Sequence, residues 1–146
     1  MAAIRRATVK WNGDLNTGDG AVSAITSRAF TSLPVTWASR TEHADGRTSP
    51  EELLAAAHAT CFAMAFSGDL AKAGSPPDRL EVSSEVTFDR VDGKSTVVSS
   101  KLTVRGKVHG LDNDGFRKIA EQTKDGCPIS RAIVGNVAIS LDAALE

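Results

Sequence analysis

The sequence predicts an α+β fold built mainly from antiparallel sheet, and three observations lead there. Short segments of alternating polarity come in blocks. Helices with recognisable starts and stops fall between the blocks, and turn-forming residues separate the strands within each block. No repeat, low-complexity segment or linker interrupts the 146 residues. The expectation is therefore one domain over 1–146, large enough to bury a modest core.

The elements follow in chain order. "ATVKWNG" alternates Ala7, Val9 and Trp11, the Gly/Asp/Asn-rich "GDLNTGDG" predicts a turn, and "AVSAIT" a second strand. "LPVTW" reads as a further short strand and "EHADGRTS" as a polar loop. A helix then runs from Ser49 to Gly74. Ser49 suits its cap, Pro50 its first turn, and Glu52 stands three residues after the cap, the spacing of a capping box. Gly74, followed by "SPP", stops it. "LEVSSEVTF" and "TVVSSKLTVRGKV" alternate with period two on either side of a hairpin turn in "RVDGKS". "LDNDGFRKIAEQTKDG" predicts an amphipathic helix that starts after "DND", turns Phe116, Ile119 and Ala120 inward, and ends at Gly126. Pro128 opens a short turn of helix, and "VGNVAISLDA" supplies a last strand.

Composition excludes some function classes. Seventeen basic against eighteen acidic residues leave a formal charge of −1, and no Lys/Arg cluster is interleaved with aromatics, so nucleic-acid binding is not expected. With no tyrosine, two tryptophans and five phenylalanines, much of the core must come from Ala, Val, Leu and Ile. The N-terminus lacks the apolar run of a secretory signal. The longest uncharged stretch, Leu53 to Gly68, contains His58 and falls short of a bilayer span. These features predict a soluble, cytoplasmic protein with no membrane partner. In a reducing compartment two cysteines seldom form a permanent bridge; a disulfide between them would belong to a catalytic or sensing cycle.

The Ser49–Gly74 helix is apolar over most of its circumference, with Leu53, Leu54, Phe62, Met64, Phe66 and a run of alanines. Such a helix must be covered on all sides. One small sheet covers one side, and a second subunit is the simplest cover for the other. The pattern predicts an obligate homodimer with this helix at its centre.

Two cysteines, Cys61 in that helix and Cys127 in "DGCPIS", are the candidates for chemistry. A thiol near pKa ~8.5 is a weak nucleophile at neutral pH, and burial raises the value further. Cys61 is mid-helix, away from the amides of a helix start, so a reactive Cys61 needs a cation. Arg40 and Arg47 precede the helix, and Glu51 or Glu52 can orient a guanidinium there. Glu51 and Cys61 are ten residues apart, a separation of ~15 Å along a continuous helix. They can share a site only across a two-fold axis, with Glu51 coming from the partner subunit. Cys127 lies between Gly126 and Pro128, at or near a helix N-cap, where the dipole and free amides favour a thiolate. The plainer reading stands beside this one. Free cysteine among alanines is usually filler, and first-turn carboxylates favour the helix dipole in any case. The residues alone leave both readings open.

"SPEELLAAAHATCFAMAFS" together with "DGCPIS" resembles the OsmC/Ohr family of thiol peroxidases, closer to the OsmC branch through its "AAHATCF" wording and the arginine of "WASRTE". The likeness extends over nearly the whole chain. It implies an OsmC-like fold, mainly antiparallel sheets wrapped around two central helices in an intertwined homodimer, with active sites at the interface. It also implies residue roles: Cys61 as the peroxidatic cysteine, Cys127 as the resolving one, Arg40 activating the thiolate, and Glu51 orienting Arg40. Organic hydroperoxides or hydrogen peroxide would be the substrates. The expected cycle runs through a sulfenic acid and a disulfide, and an external dithiol, of lipoyl type or another, restores the thiols. No metal or other cofactor is implied. Phe62, Met64 and Phe66 are candidates for an apolar wall favouring organic peroxides.

Three other readings use the same residues. A cysteine hydrolase would pair His58 with Cys61, one turn apart on the helix, but it needs oxyanion donors that a mid-helix cysteine lacks. A zinc site would gather His43, His58, Cys61 and Cys127, in a spacing that matches no standard arrangement. A non-enzymatic peroxide sensor would use the same two thiols and oxidise once.

Overall fold

In the computed structural model, which describes residues 1–146, the chain forms two compact units, Met1–Leu53 and Leu54–Glu146. The first carries strands β1 (Ala7–Asn12), β2 (Asp19–Ala24) and β3 (Leu33–Thr36) in one antiparallel sheet of that order. The predicted turn between β1 and β2 is organised by one carboxylate. Asp14 accepts the Asn16 and Thr17 amides at 2.8 and 2.9 Å and the Thr17 hydroxyl at 2.7 Å. These bonds favour its ionised form and hold its pKa below the ordinary aspartate value.

Helix α1 (Trp37–Thr41) replaces the predicted end of the third strand. Thr36 and Ser39 close it by reciprocal capping: the Ser39 amide donates to Thr36 Oγ1, and the Thr36 amide to Ser39 Oγ, each at 3.0 Å. That local pair outcompetes the strand pattern suggested by "VTW". The loop that follows returns to the sheet, where the Thr48 amide donates to the Pro34 carbonyl at 2.9 Å.

Helix α2 (Pro50–Lys72) is unbroken. Ser49 Oγ accepts the Glu52 amide at 3.1 Å, which is half of the predicted capping box. The other half does not form, because the Glu52 carboxylate takes the Thr48 hydroxyl at 2.6 Å instead. At the far end Gly74 adopts φ +83, and the Ser75 amide reaches back to the Leu70 carbonyl at 3.0 Å. A residue with a side chain would be strained at that φ, which explains the glycine.

The second unit is built on two 15-residue strands, β4 (Pro77–Val91) and β5 (Lys94–Val108), paired antiparallel. Their turn is the predicted one, with Asp92 and Gly93 at φ 50 and 76, the left-handed pair that suits strand twist. Helices α3 (Asn113–Gly126) and α4 (Pro128–Ile133) then cross the sheet, so β6 (Ala138–Leu145) lies parallel to β5. Helical crossovers deliver parallel strands, and this pair departs from an otherwise antiparallel architecture. α3 starts one residue inside "DND": Asp112 is its cap and accepts the Gly115 amide at 2.8 Å. Phe116 and Ala120 are fully buried as predicted, joined by Thr123, while Ile119 is half-buried.

His58, Phe62, Phe66 and Leu70, spaced by four, form one buried stripe of α2. The three apolar members pack with Leu102 and Val104 of β5, Phe116 and Ala120 of α3, Cys127 and Ala143. Phe66 meets the Phe116 ring edge-on with centroids 4.9 Å apart. Gly106 makes room for that ring, since a Cβ there would stand 2.7 Å from it. By length and mean hydropathy (1.3) α2 meets the requirement for a bilayer span, contrary to the expectation drawn from its uncharged stretch. Its buried stripe serves the core of this unit, however, which is what a central helix of a folded domain does.

Candidate active site

Arg40 is presented by the last turn of α1, and Glu51 by the first turn of α2. Glu51 accepts the Arg40 Nε–H at 3.1 Å on each carboxylate oxygen and a terminal N–H at 2.7 Å. Glu51 is buried, and Arg40 keeps about a quarter of its side chain (27%) in contact with solvent. A carboxylate engaged by two nitrogens along one edge of a guanidinium fixes the plane of the cation. The pair forms within one chain. The expectation that Glu51 orients Arg40 from the partner subunit is therefore corrected: the Thr48–Pro34 backbone bond brings the start of α2 beside α1, so no second chain is needed. Arg47 is exposed, and Glu52 is bonded to Thr48 rather than to an arginine.

Arg40 also stacks on Trp37, its guanidinium carbon 5.7 Å from the ring centroid. It is one of the residues lining an apolar cleft of about 340 Å³, whose walls include Val9, Trp11, Leu15, Trp37 and Leu53. Sequence reading missed this cleft, since Trp11 looked like an ordinary alternating strand residue. Phe62 and Phe66, expected to form an apolar wall, are fully buried in the core, while Met64 is largely exposed on another face of α2. The three do not make one wall.

In the second unit the two thiols come together. Both cysteines are free: Cys127 belongs to the buried core, Cys61 packs against that core, and Cys127 is near enough to act on the Cys61 pKa. Ile129, in the first turn of α4, packs against the same core, and its backbone amide acts to lower the Cys61 pKa. The sequence offered no helix-start amide to a mid-helix cysteine, yet the first turn of α4 supplies one through the fold. Cys127 occupies the α4 cap position, but its side chain makes no cap hydrogen bond and is fully buried. Burial is the strongest influence on Cys61 and raises its pKa; the neighbouring Cys127 adds to the rise, and the Ile129 amide only partly offsets it.

His58 is fully buried and turned away from proton transfer to Cys61. Its Nδ1 lies 2.7 Å from Ser100 Oγ and its Nε2 2.8 Å from Ser130 Oγ. Burial depresses its pKa, so the ring is neutral. With both nitrogens engaged by hydroxyls, His58 supplies neither the base of a cysteine hydrolase nor a zinc ligand. No three His, Cys, Asp or Glu side chains are grouped to hold a metal ion. The stripe spacing of His58 with Phe62, Phe66 and Leu70 is the sequence signal for its burial.

A fold with one half-buried thiol on a long helix, a second thiol buried at the start of a short one, and a separate arginine–carboxylate pair defines a class, and comparison identifies it. The family model for OsmC-like proteins matches residues 43–142. The chain belongs to the OsmC-like family. It is 34% identical over 146 residues to peroxiredoxin OsmC of Escherichia coli K12, covering 100% of this chain and 99% of that one. It is 30% identical over 100 residues to the organic hydroperoxide resistance protein of Xanthomonas axonopodis pv. citri, covering 66% and 67%. In fold it is similar to the organic hydroperoxide resistance protein OhrB of Bacillus subtilis, with TM-score 0.74, 22% identity and coverage of 94% and 97%. A protein of that description from Elizabethkingia anophelis gives TM-score 0.78, 20% identity and full coverage of both chains.

Proposed function

We infer that this protein is a cysteine-based peroxidase that detoxifies hydroperoxides through a two-cysteine cycle. The observation that supports it most is the packing of Cys61 against the core cluster that holds Cys127, with both thiols free. Cys61 is the half-buried member and the one reached by substrate; Cys127 is fully buried behind it. The Cys61 thiolate attacks one peroxide oxygen, the O–O bond breaks, and the alcohol or water leaves after taking up a proton. Cys127 then condenses with the resulting sulfenic acid, and an external dithiol, of lipoyl type in our reading, reduces the disulfide.

Burial alone leaves Cys61 protonated at neutral pH, so its ionisation requires a cation. We assign that role to the Arg40–Glu51 pair in a homodimer, with the two α2 helices at its centre. Ala56, Ala57, Thr60, Met64 and Gly68 are exposed on α2 in the single chain, a face that a second copy would cover. The apolar cleft beside Arg40 favours organic hydroperoxides over hydrogen peroxide. The chain functions as one OsmC-like domain in the cytoplasm.

Stopped-flow oxidation of the reduced protein by cumene hydroperoxide and by hydrogen peroxide tests this reading. Second-order consumption of peroxide, turnover with dithiol present and a 61–127 bridge by mass analysis are expected. Oxidation of one equivalent without turnover would exclude a peroxidase.

A further inference from the structure

The imidazole of His58 joins three elements and is not used by the steps above. From α2 it reaches Ser100 on β5 at 2.7 Å and Ser130 on α4 at 2.8 Å, and Ser100 Oγ lies 3.0 Å from Ser84 Oγ on β4. His58, Ser100 and Ser130 are all buried. A neutral imidazole has one donor and one acceptor, so each serine completes one of its two bonds. In a dry interior such bonds are short of alternatives, because no water replaces a partner that moves away.

The position of Ser130 gives this link a consequence. α4 is only six residues long. Its first turn contains Ile129, which packs with Cys61 against the buried core, and it begins directly after Cys127. The hydrogen bonds of Arg131 and Val134 to Cys127 and Ser130 are internal to this short segment and do not fix where it lies. The Ser130 hydroxyl is a direct polar tie from α4 to the helix that bears Cys61, three residues beyond His58. We propose that His58, acting through Ser130, is a positioning residue for the resolving step, holding α4 so that the Cys127 sulfur stays aimed at Cys61. The proposal rests on the two-cysteine cycle.

The step itself is balanced within the protein. Cys127 gives up its thiol proton, its sulfur bonds to the Cys61 sulfur, and the S–O bond of the sulfenic acid breaks. The departing hydroxide takes up the proton as water. A second hydroperoxide competes for the same sulfenic acid and carries it to sulfinic acid. The outcome depends on alignment of two sulfurs, and small displacements cost such reactions heavily.

Two substitutions separate positioning from general support of the core. Ser130→Ala and Ser100→Ala each delete one buried hydroxyl from the same ring, but only Ser130 is on α4. Rapid quenching after one equivalent of cumene hydroperoxide, with mass analysis of sulfenic, sulfinic and disulfide forms, reads both steps. Ser130→Ala should slow disulfide formation by about tenfold and raise the sulfinic fraction, with the first oxidation within about twofold of wild type. Ser100→Ala should leave both steps within about twofold. His58→Gln, whose amide extends toward Ser130, should keep more of the resolving rate than His58→Asn, which reaches toward Ser100. An unchanged disulfide rate in Ser130→Ala, or equal slowing in Ser100→Ala, overturns the proposal. Absence of a 61–127 bridge in the wild type overturns the two-cysteine cycle and this inference with it, and is seen before any variant is made.

Discussion

Arg40 and Glu51 form a forked ion pair inside one chain, with the carboxylate buried and the guanidinium partly open. The arrangement leaves the cation held but not hidden, so it can serve a second anion. If that anion is the Cys61 thiolate and the departing peroxide oxygen, Arg40→Ala should slow the first oxidation by about 10²–10³-fold. Glu51→Gln keeps the shape but loses the charge that fixes the guanidinium plane, and should cost about tenfold. Second-order rates from single-turnover stopped flow check both. A rate within twofold of wild type for Arg40→Ala removes the assigned role.

The same pair predicts a shift in thiol titration. Burial raises the Cys61 pKa, and the Ile129 amide offsets only part of that rise. Below the pKa of the thiol, the thiolate fraction grows tenfold per pH unit. In Arg40→Ala the first-step rate should therefore continue to climb with pH beyond the ordinary thiol range, while the wild type reaches its plateau earlier. Thiolate absorbance near 240 nm across the same pH series supplies an independent reading. Coincident curves for the two proteins would show that Arg40 does not ionise Cys61.

The roles of the two sulfurs separate by substitution. Cys61→Ser should abolish peroxide consumption. Cys127→Ser should react once at nearly the wild-type rate and then accumulate sulfenic and sulfinic acid at Cys61, because no thiol remains beside it. Intact-mass analysis after graded peroxide additions distinguishes these outcomes. Wild-type resistance to overoxidation in Cys127→Ser would mean that another thiol resolves.

A buried histidine ties stability to pH in a calculable direction. The pKa of His58 is lowered by burial, so the unfolded chain binds a proton at a higher pH than the folded chain does. The stabilising contribution is complete above the unfolded value of about 6.5 and is lost as pH falls toward the folded value, at up to about 1.4 kcal/mol per pH unit. Asp14, Asp69 and Asp142 also have lowered values, but their effect falls in a more acidic window. Urea midpoints measured from pH 7.5 down to 5 should decline in the wild type and flatten in His58→Gln. An equal slope in both proteins would place the proton elsewhere.

Much of this architecture is legible in residue order, and what is not has physical causes. The caps at Ser49 and Asp112, the Asp92–Gly93 turn and the Gly74 stop are local, and local chemistry is written in neighbouring residues. α1 was legible in principle through Thr36 and Ser39, but a five-residue helix gives too short a period to compete with the apolar "LPVTW" pattern. The parallel pairing of β6 depends on where two helices cross, which alternation does not encode. Among the candidate residues, the motif marked Arg40, Glu51, Cys61 and Cys127, yet it did not show that Glu51 meets Arg40 in one chain. The Ile129 amide that acts on the Cys61 pKa is sixty-eight positions away in sequence, and every residue but proline has such an amide, so no pattern could single it out.

The exposed side of α2 makes a prediction about assembly. Met64 is 68% exposed in the single chain, in the middle of a face of small residues that lets two helices approach closely. Met64→Lys places a charge where our reading puts the second copy, and burying an unpaired ammonium is costly. Sedimentation velocity at micromolar concentration should show the wild type as a dimer and the variant shifted toward monomer, with peroxidase activity falling in parallel. A variant that remains fully dimeric would place the interface on another surface.

The cleft beside Arg40 turns on a single missing Cβ. Gly20 of β2 pairs with Trp11 in the sheet, and a Cβ built there would lie 2.7 Å from the Trp11 ring and 3.2 Å from a Val35 methyl. Its φ is not in the left-handed region, so glycine is needed for space and not for backbone conformation. Gly20→Ala must therefore displace Trp11, whose indole N–H is anchored to the Gly13 carbonyl at 3.1 Å, and reshape one wall of the cleft. If that wall receives the hydrocarbon part of an organic hydroperoxide, the rate with cumene hydroperoxide should fall by roughly ten- to thirtyfold, the scale of losing a well-packed apolar contact. Hydrogen peroxide has no such part, and its rate should stay within about twofold. Parallel stopped-flow series with the two oxidants measure the ratio directly. An equal fall for both would show that the substitution disturbs Arg40 rather than a hydrocarbon site, and no change for either would remove the cleft from substrate recognition.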